Sequence, residues 1–314
     1  MINNHIFPKV SVIIPTLNRK YSLNLTLQSL FQMKFPLKLL EVIIIDNGSV
    51  DKTSEFVSYK FPHIKLIRNS NNMGFGPALN IGIKKASGKF LLITNDDVIF
   101  DKDCLSELVN LIKKDKTTGI VGGKMLLRNK KTMALSGFKV NLWLGYHPYD
   151  FNGADQVREM DVATGGCMLI RKSIFKFIGM YDEGFFFCGE DYDFCFRAKK
   201  AGFKIRYCPT AIIHHKFLNS GKRTDNFDQL LAHYRGKFRF MLVHAYFLQI
   251  LVFFPIQLIF GPFYSYFQSR QKTLLPILAA LFWNINHIAD TISSRDRVNQ
   301  LKKVPASLKG RIWV

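Results

Sequence analysis

The strongest constraint on this chain is that three short runs near its start are nearly all apolar and then stop in polar residues. Residues 10–14 (VSVII) run into Pro15-Thr16-Leu17-Asn18-Arg19, residues 41–46 (EVIIID) into Asn47-Gly48-Ser49, and residues 90–94 (FLLIT) into Asn95-Asp96-Asp97. A strand that is apolar on both faces has to be covered on both faces, the condition met in a parallel sheet lying between helices. The intervening segments have matching patterns: helices are expected near 23–33, 51–59, 76–86 and 103–114, with a further strand at 64–68. The expected fold class is α/β, with a doubly wound, mostly parallel sheet. In such sheets ligands bind outside the carboxyl ends of the strands, so the three polar clusters mark one crevice.

Composition limits the rest. The 314 residues are 48% hydrophobic and 21% charged, a mix that excludes wholesale disorder. Cys104, Cys167, Cys188, Cys195 and Cys208 are scattered without a CxxC pair, which argues against a disulfide scaffold or a zinc site and fits a reducing cytosol. The first apolar stretch is too short for the core of a signal peptide, so a cytoplasmic catalytic part is expected. The formal charge of +21 calls for a polyanionic neighbour. From 195 to 314 nineteen Lys and Arg residues face four acids (Asp225, Asp228, Asp290, Asp296), so most of that excess surrounds the most apolar part of the chain. Basic flanks around an uncharged apolar run point to a membrane surface before nucleic acid.

Residues 240–269 hold no formally charged side chain, and 273–289 form a second uncharged stretch. The first is longer than the ~20 residues a transmembrane helix needs. However, Gln249, Pro255, Gln257, Gly261 and Pro262 interrupt it, and basic residues lie on both sides (Arg235, Lys237, Arg239; then Arg270, Lys272), which disfavours a simple single span. Re-entrant or in-plane helices on the cytoplasmic leaflet are expected, with a buried helical subdomain as the alternative. The division is then an α/β domain at 1–215 and a basic, apolar, helical, membrane-associated region at 216–314.

Three constellations can carry chemistry. Asn95-Asp96-Asp97, at the end of an apolar strand, offers hard oxygen ligands for Mg²⁺ or Mn²⁺ or else simply helix-terminal acids. Asp46 precedes a turn capped by Ser49 or Asp51, and either shapes that turn or accepts hydrogen bonds from a nucleobase or ribose. In residues 181–197 (YDEGFFFCGEDYDFCFR) carboxylates lie among aromatic rings, followed by a helix expected at 191–201. Desolvation raises the pKa of such a carboxylate and suits it to accept a proton from a hydroxyl. His214 and His215 end a strand expected at 205–215, and only one of two adjacent strand residues can face the crevice.

Taken in order, these pieces resemble glycosyltransferase family 2. The resemblance runs over about residues 8–245 through VSVIIPTLNR (10–19), EVIIIDNGSVDKT (41–53), NNMGFGPALNIGI (71–83), FLLITNDDV (90–98), the segment 163–205 and AIIHH (211–215). Within the family it is most similar to rhamnosyltransferase-type members, through Asn95-Asp96-Asp97 and, more loosely, His233-Tyr234-Arg235-Gly236-Lys237. The resemblance implies the GT-A fold, with a nucleotide-binding half at about 1–100 and an acceptor half at about 119–215. It also implies an inverting sugar transfer, rhamnose being the guess, from a nucleotide-diphosphate donor to a lipid-linked or cell-surface glycan. By position, Pro15, Thr16, Asn18 and Arg19 would line the nucleotide pocket, Asp46 would contact the base, and Ser49 and Asp51 would lie near it. Asn72, Gly74 and Asn80 would close over the nucleotide, with Asn95 and Asp96 on the donor side. Asp97 would be the main ligand of Mg²⁺ or Mn²⁺, and His214 a further one. Asp191 would be the general base, with Glu190 positioning the acceptor. Asn95 removes one carboxylate from the metal set. The competing readings are a nucleotidyltransferase, which lacks its Gly-rich basic loop here, a nucleic-acid binder, and a degenerate membrane-bound scaffold.

Overall fold

Alternate residues of the first strand feed two different cores. Val10, Val12 and Ile14 pack in one apolar cluster and Ile13 in another on the opposite face, all fully buried. The computed structural model describes residues 7–127, 133–135, 137–145, 155–215, 227–269 and 272–304. Its first half is β1 (Val10–Thr16), α1 (Lys20–Phe31), β2 (Leu40–Asp46), α2 (Thr53–Lys60), β3 (Lys65–Arg68), α3 (Phe75–Lys85), β4 (Phe90–Thr94), β5 (Val98–Phe100) and α4 (Cys104–Lys114). The second half continues with β6 (Thr118–Leu127), β7 (Met133–Leu135), β8 (Arg158–Glu159), β9 (Cys167–Arg171), α5 (Phe175–Ile178), α6 (Glu190–Lys200) and β10 (Lys204–His215).

The main strand order is β3-β2-β1-β4-β9-β6-β10-β5. Strands β1 to β4 pair in parallel, as their apolar runs require. Strand β9 enters antiparallel between β4 and β6, so the sheet as a whole is mixed. Helices α1, α2 and α4 cover one face and α3, α5 and α6 the other. Leu23, Leu27 and Leu30 of α1 stand at helical spacing and are fully buried, each contributing about 1.5–3 kcal/mol. The pairing of Thr16 with Asp46 brings the ends of β1 and β2 level, and β4 runs in register beside β1. The three polar clusters therefore meet at one sheet edge. The short β5, which the sequence pattern does not announce, pairs antiparallel with the end of β10.

Beyond residue 226 the chain is helical: α7 (Phe227–His244), α8 (Phe247–Pro255), α9 (Gly261–Ser269), α10 (Leu274–Asn286) and α11 (Ile288–Asn299), with a π turn at Ile256–Phe260 joining α8 to α9. The expected boundary at Lys216 and the basic residue Arg270 lie outside the described residues. Helix α7 packs on α6, α10 and α11. A methyl group at Gly236 would sit 1.9 Å from the Cys188 carbonyl oxygen, so only glycine lets α7 lie this close to the loop preceding α6. Three residues later, Arg239 is fully buried and bonds to Asp182 at 3.0 Å, Asp290 at 2.8 Å, Thr291 at 3.1 Å and Ser294 at 2.9 Å.

Outside this contact the C-terminal helices expose apolar side chains, among them Phe247, Leu251, Phe260, Phe263, Phe267, Leu275 and Phe282. The helical run Phe247–Phe267 is 21 residues long, enough by length and composition to cross a membrane, and little of it is buried. A fully buried helical subdomain does not describe these helices. Arg239→Ala should lower stability by on the order of 3 kcal/mol, because it strands the largely buried Asp182 carboxylate. Denaturant unfolding in detergent, monitored beside the wild type, measures the loss.

Candidate active site

The turn after β2 is built around a buried carboxylate. Asp46 is fully buried, and its oxygens accept hydrogen bonds from the Ser49 amide at 2.8 Å and from the Ser54 hydroxyl. Both oxygens of Asp46 thus hold the turn, each through one of its two lone pairs. Ser49 in turn accepts from the Asn18 amide at 2.9 Å, and the Asn18 side chain accepts from the Val50 amide at 2.8 Å. Asn18 has φ 53, a left-handed conformation that asparagine tolerates. Asp51 stands further out and accepts from the Thr53 amide at 3.1 Å and the Lys20 amide at 3.2 Å, tying the turn before α2 to the start of α1.

The next edge belongs to Asp96 and Asp97. Pro15 is buried in β1, while Thr16 donates to Asp96 at 2.7 Å. Arg19, half exposed, pairs with Asp97 at 2.8 Å and reaches Asp96 at 3.8 Å. Burial pushes the Asp96 pKa up to about 6; Thr16 and Arg19 oppose the shift, and the Asp97 charge adds to it. The second oxygen of Asp97 is buried and accepts no hydrogen bond, and the His215 Nε2 lies 3.4 Å from it. His214 points the other way and bonds to Asp101 at 2.9 Å. The structure thus places His215, and not the expected His214, beside Asp97, since only one of two adjacent strand residues can face that side. Burial lowers the His215 pKa, against the pull of Asp97, and leaves the neutral imidazole that a metal would need. No group of three His, Cys, Asp or Glu side chains poised for a metal occurs among the described residues. Asp97 and His215 nevertheless fit a Mg²⁺ or Mn²⁺ that takes its other ligands from water and substrate phosphates.

Residues 69–75 close the edge of this crevice. Asn47 donates to Asn72 at 2.9 Å and to the Gly74 carbonyl at 3.0 Å, and the Asn72 side chain accepts from the Gly74 amide at 3.0 Å. Gly74 has φ 93, and a methyl group there would meet the Phe186 carbonyl at 2.6 Å. Asn80 does not face a ligand. It is buried in α3, donates to the Tyr181 carbonyl and Glu183 and accepts from the Tyr181 amide, all at 3.0 Å. Its expected place over the nucleotide is corrected to that of a clamp on the loop before α6.

That loop delivers Glu190 and Asp191 to a cavity of about 570 Å³, lined also by Asn95, Gly165, His215 and, from α7, His233, Lys237, Phe240 and Met241. Asp191 accepts from the Gly165 amide at 3.3 Å and the Tyr192 amide at 2.9 Å. Burial raises its pKa, and these backbone donors temper the rise. Burial, reinforced by the Asp191 charge, raises Glu190 as well, and one Glu190 oxygen is buried without a hydrogen bond. Asp193, two residues on, is different. Although burial opposes it, Arg197 and His244 hold its carboxyl well below the usual range, at 2.6 Å and 2.9 Å. The pair thus presents one carboxylate able to take a proton and one carboxylic acid able to give a hydrogen bond. The α7 side chains are the part of the wall that sequence reasoning left unassigned. The signal in the sequence was the loose match of His233-Tyr234-Arg235-Gly236-Lys237 to rhamnosyltransferase-type members, which gave no role to His233 or Lys237.

With this geometry in view, the comparisons agree. The model of the family described as glycosyl transferase family 2 matches residues 11–179. The N-acetylglucosaminyl-diphospho-decaprenol L-rhamnosyltransferase of Mycobacterium tuberculosis is 25% identical over 231 residues, covering 64% of this chain and 74% of its own length. A probable glycosyltransferase of Bacillus subtilis, YdaM, is 30% identical over 213 residues, 65% of this chain and 50% of its own. Among solved structures, a mannosyltransferase of Pyrobaculum calidifontis in complex with GDP-Man and Mn²⁺ superposes with a TM-score of 0.59 at 17% identity, covering 98% of this chain and 85% of that one. The chain belongs to glycosyltransferase family 2: it is a glycosyltransferase with the GT-A fold, acting on a nucleotide-sugar donor. His215→Asn should weaken metal-dependent nucleotide-diphosphate binding roughly tenfold or more, with His214→Asn near wild type. Titration calorimetry with and without Mn²⁺ separates the two.

Proposed function

We propose that this glycosyltransferase inverts the donor's anomeric carbon, with Asp191 as general base, and builds a glycan on a lipid-linked or cell-surface acceptor. The observation that carries the reading is the cavity itself: Asp191 and Glu190 stand at one wall, and Asn95 and His215 of the nucleotide edge at another. Asp191 takes the proton of the acceptor hydroxyl as its oxygen attacks the anomeric carbon. The bond from that carbon to the diphosphate breaks on the opposite face, and its electron pair leaves with the diphosphate. Glu190, kept neutral by burial and its neighbour's charge, donates to the acceptor and holds it for attack. Mg²⁺ or Mn²⁺, held through Asp97 and His215, would neutralise the charge that develops on the leaving diphosphate. Arg19 adds positive charge on the same side. The mycobacterial relative's name supports L-rhamnose as the sugar and a diphospho-polyprenol as the carrier of the acceptor. The exposed apolar helices with their basic neighbours support a position on the cytoplasmic face of a membrane, lying in its surface or re-entrant.

Nucleotide-diphosphate release from a panel of dTDP-, UDP- and GDP-sugars tests the activity and names the donor. Asp191→Asn should abolish transfer while donor affinity stays within about threefold, since the mutated group acts on the acceptor proton. Unchanged turnover would remove Asp191 as the base. Because the base must be ionised and burial raises its pKa, kcat should fall with decreasing pH above the ordinary carboxylate range, and a pH profile reads the limb directly.

A further inference from the structure

The cavity has a cationic corner for which the chemistry at Asp191 has no use. Lys237 lies one turn beyond His233 on α7, and both line the cavity that holds Glu190 and Asp191. Its Nζ donates to the Gln257 side chain at 2.9 Å and lies 5.7 Å from the centre of the Phe253 ring. No carboxylate pairs with Lys237 among the described residues. Phe240 and Met241 complete an apolar surround. Burial lowers its pKa to about 8, which still leaves the ammonium as the main form at neutral pH. A positive charge kept in such a place without a counter-ion is costly, and an arriving anion would relieve that cost.

Gln257 shows what lies on the other side. It belongs to the π turn within the apolar run Phe247–Phe267 and is buried, whereas Phe260, Phe263 and Phe267 of the same run are exposed. The extra residue in a π turn shifts the helix face, and here the inward side chain of Gln257 meets the lysine. Lys237 therefore joins two surroundings: the carboxylates that handle a sugar hydroxyl, and an exposed apolar surface. The same succession, hydroxyl then anion then hydrocarbon, occurs in a sugar carried on a phosphorylated lipid.

We propose that Lys237 forms a phosphate subsite in the acceptor half of the cavity, and that the acceptor carries a phosphate or diphosphate between its sugar and an apolar chain. The proposal rests on the reading of Asp191 as the base for that acceptor. Lys237 is a specificity residue: it selects the phosphorylated carrier and takes no part in proton transfer. The ammonium leaves Gln257 or shares it, and contacts the phosphate oxygens as a point charge.

The test uses the full chain in detergent, saturated with the nucleotide diphosphate identified by the donor panel, so that the donor's own phosphate site is filled. Binding of farnesyl diphosphate is compared with binding of farnesol. The wild type should prefer the diphosphate by roughly 30-fold or more, Lys237→Gln should erase that preference, and Lys237→Arg should keep most of it. Farnesol affinity and donor KM should stay within about twofold in all three proteins. Equal affinity of the wild type for the two lipids, or a preference untouched by Lys237→Gln, would overturn the subsite. A raised donor KM in Lys237→Gln would assign the lysine to the donor and overturn it too. Failure of the base assignment reads differently: Asp191→Asn would turn over normally while the lipid preference stood.

Discussion

A single buried guanidinium holds the loop that leads into Glu190 and Asp191 to the C-terminal helices. Arg239 is fully enclosed and gathers Asp182 from the loop, with Asp290, Thr291 and Ser294 from α11. A charge taken this far from water is tolerated only with such a set of partners, so the elements that supply them are fixed relative to one another. Asn80 holds the same loop from its other side through Tyr181 and Glu183. Between these two clamps the chain has little choice about where Glu190 and Asp191 fall. Helix α7 is thus at once a wall of the cavity and the strut that sets its opposite wall.

Three neighbouring carboxylates, Glu190, Asp191 and Asp193, and a fourth at Asp46 show how environment, not residue type, sets what such a group does. Asp193 is neutralised by Arg197 and His244 and becomes a structural link between α6 and α7. Asp191 has only backbone donors, which leave it polarised but able to accept a proton. Glu190, with an oxygen that accepts nothing, is pushed towards its acid form by burial and the Asp191 charge. Asp46 lies on another edge and spends both oxygens on a turn. At Glu190, Asp191 and Asp193 charged partners, backbone amides and burial act with different signs, and their balance sorts the three.

Much of this was legible in the residues, and the exceptions share a cause. Apolar strands that end in polar clusters announce a crevice at one sheet edge, because strand ends in a parallel sheet are level by construction. A carboxylate among aromatic rings announces itself in the same way. The side of β10 on which each histidine falls was not legible. The pairing of β10 with β6 shifts register between Cys208 and Ile212, and one displaced residue exchanges the faces of all that follow. Counting back from the strand's apolar residues therefore cannot tell His214 from His215. Asn80 and Lys237 escaped for a related reason: their partners lie 101 and 20 residues away along the chain, and no local pattern reports them.

The place of β9 has a consequence for how the chain assembles. Strands β1 to β4 with their helices draw only on the first hundred or so residues, so this half can condense while the remainder is still leaving the ribosome. Until β9 arrives some seventy residues later, the free edge of β4 stays open to any other extended chain. The last strand then closes over β5, whose partner positions are separated by more than a hundred residues. Long-range pairings of this kind are slow to form, so the edge that carries Asp96 and Asp97 takes shape early and the wall that carries Glu190 and Asp191 is the late event of synthesis.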